Sequence, residues 1–295
     1  MDTKECKIAV LIDSDNVPYA NIKGMLDEIA KYGTITIKRI YGDWTKPTAS
    51  GWKSVLLDNA LTPIQQYSYT TGKNATDSAM IIDAMDILHS NKVDGFCIVS
   101  SDSDFTRLAV RLRESGRLVI GMGEKKTPNP FIVSCDKFIY IEILNQPTQS
   151  TSSRVAAPII NCKEEDVPKS PNSTNSNDAS SVPLEILELI TQSISDLSNE
   201  DGWTFLGKIG GLISKKRPDF DSRNYGFQKL TQLLESFIDK FEIEKRDTSN
   251  PHIKHIYVRK KLYNDICIEE ATSPNFSIQF NPALGFCVRH LALDG

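Results

Sequence analysis

The chain has 295 residues, a formal net charge of −4 and a pI near 5.7, with 40% hydrophobic residues. That length holds one large domain or two smaller ones with proper cores, and the charge does not advertise a nucleic-acid binder, though it permits a local basic face. Six cysteines without a CxxC pair, and only four histidines, leave little for a zinc finger; this usage suits a reducing cytoplasm. No apolar stretch approaches the length of a membrane span, and Met1–Glu5 lacks the apolar run of a signal peptide.

The first strand is Lys7 to Ile12, which runs into Asp13-Ser14-Asp15-Asn16. Ile22, Met25, Leu26 and Ile29 recur at helical spacing, and Gly33 stops that helix. Thr34 to Tyr41 reads as a second strand, Trp52 to Ala60 as a helix, and Pro63 to Tyr69 as a third strand. The helix Ala75 to Leu88 carries Ile81, Met85 and Leu88 on one face. Asp94 to Ser100 is a fourth strand, and its run Phe96-Cys97-Ile98-Val99 does not alternate, so both of its faces are expected to be covered. Phe105 to Glu114 reads as helix, Arg117 to Met122 as strand, Asn129 to Cys135 as a short helix and Phe138 to Ile141 as a last strand. Strand and helix alternate over about 145 residues, which calls for a parallel sheet with helices on both faces. Neither GxGxxG nor GxxxxGK[ST] occurs in its loops.

Residues 146–181 are dominated by Pro, Ser, Thr, Asn and Gln and read as a flexible linker. A second unit is expected over 182–261. It has a helix over 184–190, helices over Phe205–Ser214 and Tyr225–Phe237, and two short strands, Phe241–Glu244 and His255–Arg259: a small winged-helix-like domain. Lys and Arg number 13 there against 12 Asp and Glu. The cations concentrate at Lys215, Lys216, Arg217 and Arg223, and at Lys254, Arg259, Lys260 and Lys261 of the hairpin. Residues 262–295 form a tail of little pattern, expected to be ordered only where it packs on something.

Four acids stand out. Asp13 follows strand one, Asp102 and Asp104 follow strand four, and Asp77 lies in the first turn of its helix. If the strand order reverses between strands one and four, all four reach the same crevice at the carboxyl end of the sheet. Carboxylates gathered in one crevice repel unless a cation joins them, and oxygen donors suit Mg²⁺ or Mn²⁺. Such a centre binds phosphate oxygens and activates water. Each acid also has a plainer role: Asp13 can end a strand, Asp77 can favour a helix start, and Asp102 and Asp104 can cap the helix near Phe105. Asn16 can orient Asp13, and Ser100 and Ser101 can bond a carboxylate or a water. Lys73, Arg107 and Lys125 can meet backbone phosphates, and Trp44 or Tyr69 can stack on a base or pack against the rim.

These residues also carry a resemblance. Leu11-Ile12-Asp13-Ser14-Asp15-Asn16, Gly72-Lys73-Asn74-Ala75-Thr76-Asp77 and Val99-Ser100-Ser101-Asp102-Ser103-Asp104-Phe105 resemble, in order, three signatures of NYN domains, the PIN-like nuclease family. The resemblance implies a Rossmann-like α/β/α sandwich and metal-dependent cleavage of RNA. Asp13, Asp77, Asp102 and Asp104 match the acidic centre, and Asn16 and Ser101 match polar positions. In the second unit, Gly202 to Gly210 followed by Pro218-Asp219-Phe220-Asp221-Ser222-Arg223-Asn224-Tyr225-Gly226 resembles the OST-HTH domain, also called LOTUS. Members of that family bind RNA, several preferring G-rich or quadruplex-forming RNA, and some animal versions bind a protein instead. The pairing of the two modules is common in LabA-like bacterial proteins. Two functions therefore stand at this level: a Mg²⁺- or Mn²⁺-dependent ribonuclease with an RNA-binding module, or an RNA-binding or adaptor protein without turnover.

Overall fold

The computed structural model describes residues 5–67, 75–145, 182–247, 254–261, 277–281 and 286–290. The chain divides into two compact units, residues 1–181 and 182–295. The linker expected over 146–181 lies outside the described residues, as do Tyr69 and Lys73.

The first unit alternates strand and helix: β1 (Lys7–Asp13), α1 (Ile22–Ile29), β2 (Thr34–Gly42), α2 (Trp52–Asp58), β3 (Thr62–Gln65), α3 (Ala75–His89), β4 (Gly95–Val99), α4 (Thr106–Glu114), β5 (Leu118–Gly123), α5 (Asn129–Ser134) and β6 (Lys137–Tyr140). The six strands pair in the order β3-β2-β1-β4-β5-β6, all in parallel. The order reverses between β1 and β4, where Ile12 stands beside Val99. Both strands therefore end side by side at the switch point, the place where open α/β sheets bind ligands.

The uninterrupted apolar runs of the central strands β1 and β4 have a physical cause, because both are covered on both faces. Ala9 and Leu11 of β1 join Phe96 and Ile98 of β4 in a core with α3, α4 and α5. Ile8, Val10 and Ile12 turn the other way, with Cys97, Val99 and the helices α1 and α2. Burying each such side chain contributes about 1.5–3 kcal/mol. The third strand is shorter than expected, ending at Gln65.

In the second unit, α6 (Leu184–Leu197), α7 (Leu206–Lys216) and α8 (Leu230–Glu235) pack on a three-stranded antiparallel sheet of β7 (Thr204–Phe205), β8 (Phe241–Asp247) and β9 (Lys254–Lys260), in the order β7-β9-β8. Ile186, Ile190, Ile194, Ile209, Ile213, Leu233, Leu234, Phe241 and Val258 form its core. Two expectations change here. The helix read over Tyr225–Phe237 is a 3-10 turn, Ser222–Tyr225, then α8, because Gly226 sits at φ 85°, a left-handed conformation that ends the turn. β7 was not expected; two residues are too few for an alternating pattern to register. In the tail, β10 (Ser277–Asn281) and β11 (Phe286–His290) form an antiparallel pair, whose Ile278 and Phe280 alternate with polar residues.

Candidate metal centre

The site begins with Asp13, the last residue of β1. It is almost wholly buried. Its Oδ2 accepts hydrogen bonds from Asn16 Nδ2 at 2.7 Å and from Ser100 Oγ at 2.8 Å, and its Oδ1 accepts one from the Asp15 backbone N–H at 3.1 Å. Burial nevertheless pushes its carboxyl above the usual range, against the lowering effect of those bonds. Ser100 is the link to the next strand: it donates to Asp13 and its Oγ accepts from the Asp102 backbone N–H at 3.1 Å. Asp102 in turn caps the 3-10 turn Ser103–Phe105, its Oδ1 accepting from the Asp104 backbone N–H at 2.9 Å. The expected cap is thus present, on a side chain that also lies in the acidic cluster.

Phe105 anchors that turn. It is fully buried in the core shared with Met80 and Ala84 of α3, so the residue after Asp104 draws the acidic turn down against the helix that carries Asp77. Gly123, at the end of β5, lets the neighbouring strand approach: a Cβ there would meet the Ser100 carbonyl oxygen at 2.6 Å. One residue on, the Glu124 backbone N–H donates to Ser101 Oγ at 2.9 Å. Ser101 thus holds the loop walls together.

Oxygen atoms of Asp77, Asp102 and Asp104 all lie within 4.8 Å of one another. Asp77 and Asp102 are half-buried and Asp104 is exposed. The Asp77 carboxyl is pushed up to about 6, first by burial and then by the charges of Asp13, Asp102, Asp104 and Asp15. Three oxygen-donor carboxylates this close, one of them already raised by its neighbours, fit a hard divalent cation, whose charge would relieve the repulsion. Asp13 stands beside this group with its oxygens engaged by Asn16, Ser100 and Asp15.

The other expected contacts fall as follows. Trp44 Nε1 donates to the Ile64 carbonyl at 3.0 Å and so ties the end of β2 to β3. The Lys125 backbone N–H bonds Glu142 Oε1 at 2.8 Å, and Arg107 is exposed. In the second unit, Lys216 pairs with Asp196 at 2.6 Å, Arg217 with Asp219 at 3.2 Å, and Arg223 forks onto Asp221; Lys215 is exposed.

One group was missed. Asp83, midway along α3, accepts from both Arg39 and Tyr41 of β2. The readable signal was an acid set among Ile81, Ile82, Ala84 and Met85. Its neighbours hold α3 on the sheet, and α3 carries Asp77.

Residues 7–142 match the NYN domain, and residues 178–253 match the OST-HTH/LOTUS domain. The chain carries an NYN domain followed by an OST-HTH/LOTUS domain. An NYN domain points to the nuclease class, and such domains are generally dependent on a divalent metal; the OST-HTH/LOTUS domain implies RNA binding. Among solved structures, a protein of unknown function from Vibrio parahaemolyticus is similar at 21% identity and TM-score 0.40, over 48% of this chain and 96% of that one. An uncharacterized protein from Nitrosomonas europaea is similar at 29% identity and TM-score 0.26, over 34% of this chain and 93% of that one. No curated protein matches the chain. Among the described residues, no helix is long and apolar enough to cross a membrane.

Proposed function

We propose that the chain is a Mg²⁺- or Mn²⁺-dependent endoribonuclease, with residues 1–145 cutting RNA and residues 182–261 holding it across the linker 146–181. The observation that carries this reading is the gathering of Asp77, Asp102 and Asp104 at the switch point of an NYN domain. These three would hold the cation, with Asp13 completing the set through the lone pair that Oδ1 keeps beyond its bond from Asp15. A divalent ion there supplies Lewis acidity toward a phosphodiester and activates water for attack.

The chain's own residues prepare that chemistry. Asn16 and Ser100 fix the Asp13 carboxylate. Ser100 and the Asp102 cap fix the turn, and Ser101 fixes the facing loop. With its carboxyl near 6, Asp77 is mostly ionised at neutral pH and ready to serve as a ligand. Lys73 and the basic residues Lys215, Lys216, Arg217 and Arg223 are proposed contacts to the RNA backbone. The RNA is taken to be single-stranded or structured, with G-rich sequence the first to try. Buried free thiols at Cys97 and Cys135 suit a reducing cytoplasm.

The test is a panel of single-stranded RNA, structured RNA and DNA, incubated with the purified chain and with Mg²⁺, Mn²⁺, Ca²⁺ or chelator. Cleavage of RNA inside the strand, with Mn²⁺ or Mg²⁺ only and stopped by chelator, supports the reading. Calorimetric metal binding with no turnover on any substrate would replace the enzyme with an RNA-binding or adaptor protein.

A further inference from the structure

The face of the β7-β9-β8 sheet turned away from its helices carries a second arrangement among the described residues. Along β8 and β9, Phe241, Ile243, Ile256 and Val258 turn toward the helices. Strand alternation therefore turns Glu242, Glu244, Arg246, His255, Tyr257 and Arg259 to the opposite face. Phe205 pairs beside Tyr257 there, with Trp203 two residues before it.

These side chains form a ladder. The Arg246 guanidinium lies 4.3 Å from the Tyr257 ring centre and 5.3 Å from that of Trp203, and Arg259 lies 5.0 Å from Trp203 on its own account. Phe205 sits 5.9 Å from Tyr257 and 5.0 Å from His255. Each arginine is also gripped by a carboxylate on the same face, Arg246 by Glu244 and Arg259 by Glu242. The planes are thus held before any ligand arrives. Trp203, Phe205 and Tyr257 take no part in the helical core.

The charge of the unit is segregated as well. Residues 240–261 hold seven Lys and Arg against three Asp and Glu, a net +4, while residues 182–239 hold six against nine, a net −3. A polyanion is attracted to the hairpin as a whole and repelled by the helical part, but Lys245, Lys254 and Lys260 alternate away from the ladder face, which itself sets Arg246 and Arg259 against Glu242 and Glu244.

We infer that this sheet face is the surface on which the second domain takes unpaired RNA, its bases stacking on the Trp203, Tyr257, Arg246 and Arg259 planes. Unpaired bases are the chemistry that aromatic rings and guanidinium planes recognise together. The inference rests on the RNA-binding reading above, and moves the main contact from Lys216, Arg217 and Arg223, which are engaged by Asp196, Asp219 and Asp221. Binding by stacking, with each ladder arginine holding a carboxylate, makes the loss of a plane more damaging than the loss of a charge.

The experiment measures anisotropy of a fluorescein-labelled 12-nucleotide single-stranded RNA with the full-length chain in chelator, so that no cutting intervenes. Tyr257→Ala is expected to weaken binding about tenfold, the size of one lost base stack. Arg246→Lys keeps the charge, loses the plane and is expected to weaken binding severalfold, while Tyr257→Phe binds as wild type. A variant with Lys215, Lys216 and Arg217 all changed to Ala is expected to lose far less. If Tyr257→Ala melts early, the Arg246→Lys change, at a half-exposed side chain, still decides the matter. Wild-type affinity in both ladder variants, with the loss confined to the triple variant, overturns the surface assignment alone. Absence of binding by the wild-type chain to any RNA overturns the RNA reading with it and leaves the face to a protein partner.

Discussion

In the first unit, Asp77, Asp102 and Asp104 bring their oxygens within 4.8 Å of one another, and the charges of Asp13 and Asp15 add to the crowding around Asp77. In the second unit the acids meet cations instead: Asp196 takes Lys216, Asp219 takes Arg217, Asp221 takes Arg223, Glu244 takes Arg246 and Glu242 takes Arg259. Like charges held together by a fold raise its free energy, and they persist where a ligand of opposite sign completes the set. Opposite charges already matched have little left to offer a polyanion. On the reading proposed above, the first unit would meet its ligand through charge in the crevice and the second through flat surfaces on the sheet.

Asp77→Asn breaks the first side of this comparison most severely. Loss of one acidic ligand is expected to lower RNA cleavage by about a hundredfold or more, as several kcal/mol of charge stabilisation disappears. The same change is expected to stabilise the metal-free chain. Asp77 holds its proton more tightly folded than unfolded, so its ionisation opposes folding as pH rises from about 4 through 6. At pH 8 the asparagine variant should melt a few degrees higher, worth about 1 kcal/mol once solvent screening of this half-exposed group is allowed for. By pH 4 the difference should vanish. A variant that melts lower at pH 8 contradicts the crowding.

Asp83→Ala tests whether α3 is held for the sake of Asp77. It leaves the buried Tyr41 hydroxyl and Arg39 without their shared acceptor, and should cost about 2–3 kcal/mol in a denaturant titration. Ser100→Ala removes the bridge between Asp13 and the Asp102 turn. Metal affinity, read by Mn²⁺ titration, should fall about tenfold to a hundredfold, as when partners behind metal ligands are lost. The smallest effect is expected at Lys216→Ala. Its pair with Asp196 lies at the surface, so the melting temperature should not move measurably, and RNA affinity should fall far less than in Tyr257→Ala.

Much of the first unit was readable because its physics is local. Apolar runs such as Phe96 to Val99 announce a strand covered on both faces, and acids at the ends of β1 and β4 are informative only if those strands are neighbours, as they are. The sharing of Ser100 between Asp13 and Asp102 could be anticipated in kind but not in geometry. The second unit was less legible. Gly226 looks like any turn glycine until its φ of 85° divides the expected helix. Asp219 and Asp221 sit two residues from Arg217 and Arg223, close enough to suspect pairing, yet nothing local says which way those side chains fold. The Trp203, Arg246, Tyr257 and Arg259 ladder spans more than forty residues of chain and depends on β7, a strand of two residues. Long-range juxtaposition of that kind leaves no periodic trace.

The most direct measurement compares wild type with the double variant Asp102→Asn, Asp104→Asn on one labelled RNA with Mn²⁺ at pH 7.5, the fold of each checked by its melting curve. Both changes preserve shape, and Asp102→Asn keeps the cap acceptor oxygen, while two of the three clustered charges are removed. The account predicts that cleavage by the double variant falls to the level of wild type in chelator, with RNA binding retained through the second domain. Undiminished Mn²⁺-dependent cleavage by a folded double variant would contradict it.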